Sequence, residues 1–202
     1  VLAPHGHASG GKLAVAGIRE DPRIIDTIDQ HNYDYGVQAV RRGYVVFCPD
    51  ARGFGERRES FSSQPEQILN SSCHQLAHMA LPLGLTVAGM WTWDLMVLLD
   101  YVQTRPEVQG RKLGAIGLSG GGLQALRLAA LDERIACAVI SGYYYGVADS
   151  LLHLSNNCDC NYIPHMWEQA DMGDVGALIA PCPLLIEAAR QDPLNGPRGI
   201  VN

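Results

Sequence analysis

Gly117-Leu118-Ser119-Gly120-Gly121 is the stretch whose reading decides the fold. It follows the apolar run Leu113 to Leu118 without a break and leads into the helix-like run Leu123 to Leu131. A short apolar run bounded by glycine predicts a buried strand. G-x-S-x-G between a strand and a helix is the pattern of a nucleophile elbow, a tight and strained turn that carries a serine. A side chain at either flanking glycine would crowd such a turn. The turn exposes Ser119 Oγ at the carboxyl end of the strand. It also sets the Gly120 N–H at the start of the helix, where an oxyanion can be held. The plainer alternative is a glycine-rich loop with a surface serine. The strand before and the helix after favour the nucleophile.

Working outward, further apolar runs lie at Val1 to Ala3, Tyr44 to Cys48, Ala136 to Ile140 and Pro183 to Ala188. Each is short and hydrophobic on both faces, as expected of parallel strands covered by helices. Helical patterns lie between them at Asp34 to Arg42, Met90 to Gln103 and Leu123 to Leu131. This alternation predicts an α/β fold: a doubly wound, mostly parallel sheet of about five core strands with flanking helices. Right-handed crossovers would gather the loops after the strands on one rim. Residues 1–202 read as one domain. Residues 143–174 carry aromatics and histidines between two strands and are expected to form a cap over that rim.

The 202 residues are 47% hydrophobic with a formal net charge of −6, enough apolar content for one sizeable core. Mild acidity and the lack of a basic run argue against a nucleic-acid partner. No apolar stretch is long enough to span a membrane. Val1-Leu2-Ala3-Pro4 lacks the n- and h-regions of a signal peptide. A cytoplasmic, reducing location is therefore the expectation. Six cysteines are present. Cys48 and Cys137 sit in apolar runs and are expected to be buried thiols. Cys158-Asp159-Cys160 has neither the C-x-x-C redox spacing nor half of a paired zinc motif. His153 could be a third ligand, but no fourth stands nearby in sequence. Structural thiols, and no metal or other cofactor, are expected.

Acyl transfer needs a nucleophile, a base, an orienting acid and oxyanion donors. The first strand runs into Pro4-His5-Gly6-His7-Ala8-Ser9-Gly10-Gly11, a place where a second oxyanion N–H can arise. The His7 N–H is the candidate, paired with that of Gly120; both imidazoles read as structural. Asp192, after the last strand and held by Pro193, follows Ser119 as an acid should. Asp50, with Arg52 after it, reads as a rim-loop tie. Trp91, Trp93 and Asp94 suit core packing plus one polar face, with no chemistry assigned.

Taken together these residues resemble the α/β-hydrolase superfamily, in particular its dienelactone-hydrolase and acetyl-xylan-esterase-like branch. The matching pieces are His5-Gly6-His7, Asp50-Ala51-Arg52-Gly53-Phe54-Gly55-Glu56-Arg57, Trp93-Asp94 and Gly117 to Gly122. Cys160-Asn161-Tyr162-Ile163-Pro164, Asp171-Met172-Gly173-Asp174 and Gln191-Asp192-Pro193 complete them. The resemblance implies a metal-free serine attack on a carboxylic ester. Ser119 would be the nucleophile, Asp192 the acid, and the His7 and Gly120 N–H groups the oxyanion hole.

In that family a catalytic histidine follows one more strand after the acid, and strands precede the one that opens this chain. No histidine follows His165 here. The resemblance therefore implies a hydrolase truncated at both ends, with impaired activity. His153 and His165, in the cap segment, are the remaining places for a base. Two readings follow: a serine hydrolase of small-acyl carboxylic esters, or a degenerate, non-catalytic fragment acting in binding or assembly. Unprotected apolar edges at Tyr44 to Cys48 and Pro183 to Ala188 further predict a homo-oligomer, a two-fold dimer.

Overall fold

The structure is a computed structural model that describes residues 1–59, 67–108, 113–154 and 157–193. Three parallel strands form its sheet in the order β1 (Leu113–Leu118), β2 (Ile135–Ser141) and β3 (Leu184–Glu187). Ile116 stands opposite Val139, and Val139 opposite Leu185. The sheet continues past β1 through single bridges. Leu2 bridges Ala115 on one side and Phe47 on the other, both parallel. Leu2 N–H donates to Gly114 O at 2.8 Å, and Ala3 N–H to Phe47 O at 2.9 Å.

The expected five strand positions are thus all present, but two are bridges rather than regular strands. The reason is local. Pro4 has no N–H to extend the ladder, so the Val1 to Ala3 run offers one bridge on each side. Phe47 then has nothing longer to pair with.

Helices cover the sheet in the order α1 (Lys12–Val15), α2 (Pro22–His31), α3 (Tyr35–Val40), α4 (Cys73–Ala80) and α5 (Val87–Gln103). After β1 come α6 (Gly120–Leu131), α7 (Met166–Gln169) and α8 (Met172–Ala177). Side-chain alternation along the central strands divides the core. Leu2, Leu113 and Ala115 pack with α4, α5, α6 and α8. Ala3, Ile116 and Leu118 pack with α1 and α2, on the other face. Both faces of β1 are covered, which makes the sheet doubly wound.

The covering is incomplete further out. Cys137 is exposed, and Leu185 and Ile186 of β3 are 55% and 38% exposed. This corrects two expectations: Cys137 is not a buried thiol, and β2 and β3 are not covered on both faces. Among the described residues, α1 to α3 lie over the other end of the sheet.

Helix α5 begins three residues before its expected start because Thr86 caps it, accepting from Gly89 N–H at 3.1 Å. Helix α2 is not among the helical patterns expected from the sequence. Its signal was the pair Asp21-Pro22: the Asp21 side chain caps Arg23 N–H at 2.9 Å, and Pro22 opens the first turn. Trp91 is core, but Trp93 is 64% exposed and does not pack as expected. Among the described residues no single helix is long and apolar enough to cross a membrane.

The sharpest packing constraint is at the β1–α6 turn. A Cβ on Gly117 would lie 2.1 Å from the Gly121 carbonyl, and one on Gly121 would lie 2.3 Å from Pro4 O. Both obstacles are backbone atoms that cannot swing away. Gly117→Ala or Gly121→Ala should each cost about 1–3 kcal/mol, the range for overpacking, read as a lower urea midpoint. Gly173→Ala in α8, where nothing stands within 4 Å of the new methyl, should be neutral or stabilising by roughly 0.5–1 kcal/mol.

Candidate active site

Ser119 sits between β1 and α6 with φ 56° and ψ −120°, a backbone conformation rare for a residue with a side chain. Two hydrogen bonds hold it there. Ser119 N–H donates to Ser141 O at 2.8 Å, and Leu123 N–H donates to Ser119 O at 3.0 Å. Gly120, Gly121 and Gly122 form the first turn of α6, whose leading N–H groups have no partner within the helix.

The His5–His7 loop lies directly against this turn. A Cβ on Gly6 would meet Leu118 O at 2.5 Å and Gly120 N at 3.1 Å. Gln124 of α6 donates through Nε2 to His5 O at 2.8 Å. Tyr35 donates to Pro4 O at 2.5 Å, and Tyr33 donates to His7 O at 3.3 Å. Among the described residues the His7 N–H has no acceptor within the chain.

His5 is buried and bonded at both ring nitrogens. Its Nδ1 lies 2.9 Å from Gly6 O, and its Nε2 accepts from Ala51 N–H at 3.0 Å. These partners fix a neutral ring with the proton on Nδ1. Asp50 ties down the same rim. Its carboxylate accepts from Lys12 N–H at 2.7 Å and Glu56 N–H at 3.2 Å, and it pairs with Lys12 Nζ at 3.2 Å. Arg52 turns elsewhere: with Arg57 it holds Asp94, at 2.8 Å and 2.9 Å. Asp94 is thus the hub of the loop's ion pairs.

Ser119, Gly120 and His7 line a cavity of about 230 Å³. Its other wall comes from residues 143–174: Tyr143, Tyr145, Asn157, Cys158 and Asn161. Tyr143 donates to Asn161 Oδ1 at 2.7 Å. Burial pushes the Tyr143 and Tyr145 hydroxyls up, and the Asp192 carboxylate adds to the effect on Tyr145. Asp192 itself is half-buried past the end of β3 and does not line the cavity.

The two histidines of residues 143–174 do not line the cavity. His153 is exposed. His165 is exposed and lies 3.1 Å from Glu168 Oε1. Among the described residues the one imidazole lining the cavity is His7, whose Nε2 lies 3.5 Å from Cys160 Sγ. Cys73, Cys158 and Cys160 converge on that imidazole. From the sequence, His153 is the candidate third companion of Cys158 and Cys160; the structure brings His7 and Cys73 there instead, both remote from them along the chain.

A parallel sheet wound on both faces, with a strained serine turn at the carboxyl end of its central strand, defines an α/β-hydrolase fold. The chain belongs to the dienelactone hydrolase family, whose model matches residues 25–194. It is 32% identical over 162 residues to a protein of Bacillus subtilis (strain 168) named "Putative hydrolase YtaP", covering 78% of this chain and 50% of that one. Among solved structures it resembles a "putative acetyl xylan esterase" from Bacteroides fragilis NCTC 9343. There the TM-score is 0.77 and the identity 18%, over 92% of this chain and 50% of that one. It also resembles a promiscuous CE15 esterase from a marine bacterial metagenome, with TM-score 0.56 and 18% identity over 98% of this chain and 57% of that one. The chain spans about half the length of the curated relative it matches.

Burial lowers the His5 pKa from 6.5 to about 4. Between those two values the unfolded chain binds a proton that the folded chain does not, so stability rises with pH across that window. Acidification from pH 6.5 to 4 should therefore remove on the order of 3 kcal/mol. The same titration of His5→Gln, read by urea melts at each pH, should lose most of this slope.

Proposed function

We propose that this chain carries the acylation machinery of a serine-dependent hydrolase of carboxylic esters with small acyl groups. One observation carries the reading: Ser119 is held at φ 56° on a strand-to-helix turn that opens into a cavity. Strain of this kind costs on the order of 1–3 kcal/mol and persists where the surroundings enforce it. Here the turn is a nucleophile elbow.

Ser119 Oγ would attack the ester carbonyl carbon. The oxyanion would take hydrogen bonds from the Gly120 and His7 N–H groups. Collapse would expel the alcohol and leave an acyl-Ser119 ester, which water then hydrolyses. A cavity of about 230 Å³ admits an acetyl-sized group; it is below the roughly 300–1,000 Å³ of drug-sized pockets. Residues 143–174 act as a cap within the same domain. The family membership and the esterase neighbours support the substrate class.

The proton from Ser119 needs a base. His7 is turned to Cys160, and His153 and His165 face solvent. In this reading the base is a histidine supplied by a second molecule, with Asp192 as its orienting acid. Among the described residues no imidazole is hydrogen-bonded to Ser119, which also favours a second reading, a non-catalytic chain acting in binding or assembly.

Reaction with a fluorophosphonate and hydrolysis of p-nitrophenyl acetate separate the two. The first reading expects a labelled Ser119 peptide and slow turnover, about 10⁴-fold or more below a complete triad. Both signals should vanish in Ser119→Ala with the circular dichroism spectrum unchanged. Labelling at another residue, or hydrolysis indifferent to Ser119→Ala, defeats it. No labelling and no hydrolysis above buffer supports the second.

The assembly expectation belongs to the same proposal. Tyr44 and Val45 at one sheet edge, and Leu185 and Ile186 at the other, are exposed apolar side chains. A two-fold dimer burying one edge should sediment as such at micromolar concentration, and a monomer at that concentration removes it.

A further inference from the structure

Three thiols and an imidazole from distant parts of the chain meet at the cavity wall. The ligand-capable atoms of His7, Cys73, Cys158 and Cys160 all lie within 4.8 Å of one another. Four donors around a tetrahedral zinc, with Zn–S of about 2.3 Å, stand about 3.8 Å apart. The observed group is within small side-chain adjustments of that arrangement. Three cysteines and one histidine are a known composition of closed, structural zinc sites. Thiolate-rich sets also discriminate against magnesium and calcium. Cys73 and Cys160 are 1% and 0% exposed, while His7 and Cys158 are half-buried and line the cavity.

Two neighbours strengthen the case. Asn161 Nδ2 donates towards Cys160 Sγ at 3.7 Å, the kind of outer contact that orients a metal-bound sulfur. Arg127 of α6 is only 8% exposed and, among the described residues, has no carboxylate partner. Its Nη atoms face the Met166 sulfur at 3.4 and 3.5 Å, and its Nε has no partner. A buried cation with no counter-charge is costly. Cys160 is among the groups acting on it electrostatically, and three thiolates on one zinc would leave a net charge of −1 beside it.

We propose that Cys73, Cys158 and Cys160 Sγ, with His7 Nε2, bind one zinc ion. Binding releases the three thiol protons to solvent. The imidazole binds through the lone pair of Nε2 and keeps its proton on Nδ1. All four positions are filled by protein, so the ion is structural and has no place for substrate. It ties the His5–His7 loop, the first turn of α4 and the 158–160 turn together, and so fixes the wall of the Ser119 cavity. It does not depend on Ser119 being a nucleophile. It reverses the sequence-based expectation of metal-free structural thiols.

The test is metal analysis of the untagged, dialysed chain by mass spectrometry, with X-ray absorption at the zinc edge. The expected result is one zinc per chain bound by three sulfurs and one nitrogen. Cys158→Ser and Cys160→Ser should fall to background zinc. Cys137→Ser, outside the cluster, should keep it. The exposed group His74, His78 and Asp159 stands nearby and could hold an adventitious ion, so His78→Ala should also keep the zinc. Three results overturn the proposal: zinc at background after refolding with zinc present; zinc lost with His78→Ala but not with Cys158→Ser; or a disulfide joining Cys73 to Cys158 or Cys160 in the unreduced protein. If the cysteine variants do not fold, the absorption spectrum of the unaltered chain decides, because coordination by oxygen and nitrogen alone rules the cluster out.

Discussion

The structure depends on the approach of two backbones: the loop after the first bridge and the turn between β1 and α6. Gly6, Gly117 and Gly121 are each placed where a Cβ would strike main-chain atoms at 2.1 to 2.5 Å. Removing those side chains brings His7 and Gly120 to one cavity with Ser119, which is held at a positive φ. The cost of that backbone is met by the packing of α6, whose residues from Gly120 to Ala129 are buried. Strain can be stored at one residue because the helix and strand on either side cannot move to relieve it.

The same rim is stabilised by buried polar groups that are nearly all satisfied. His5 is bonded at both nitrogens, Asp50 accepts two backbone N–H groups, and Gln124 bridges the His5 carbonyl to α6. In a low-dielectric interior such bonds specify one arrangement, since breaking any one leaves a desolvated group unpaired. Arg127 stands apart from this pattern. Its partners are a thioether and the Tyr143 hydroxyl, and the zinc site proposed beside it would supply the missing negative charge.

That cluster also bears on the proposed catalysis. His7 cannot accept the Ser119 proton through a nitrogen turned towards Cys160. His7 lines the cavity, and its Nε2 reaches the sulfur cluster. One residue thus links the proposed oxyanion donor to the sulfur cluster. The cavity wall formed by Cys158 and Asn161 lies opposite Ser119, and His7 touches both sides.

The sequence by itself determined the strand–turn–helix at Ser119, the parallel α/β layout and the rim positions of His7, Asp50 and Asp192. Local rules govern these features: glycine where no Cβ fits, apolar runs bounded by turn residues, and polar residues at strand ends. Only the tertiary structure decided which edge residues stay exposed, that Asp94 rather than Asp50 receives Arg52, and that His153 and His165 point away from the cavity. It alone brought Cys73 and His7 to the Cys158-Asp159-Cys160 turn. Contacts between residues 153 positions apart, as for His7 and Cys160, leave no periodicity or spacing in a single sequence. They are set by how the helices pack across the sheet, which local chemistry does not encode.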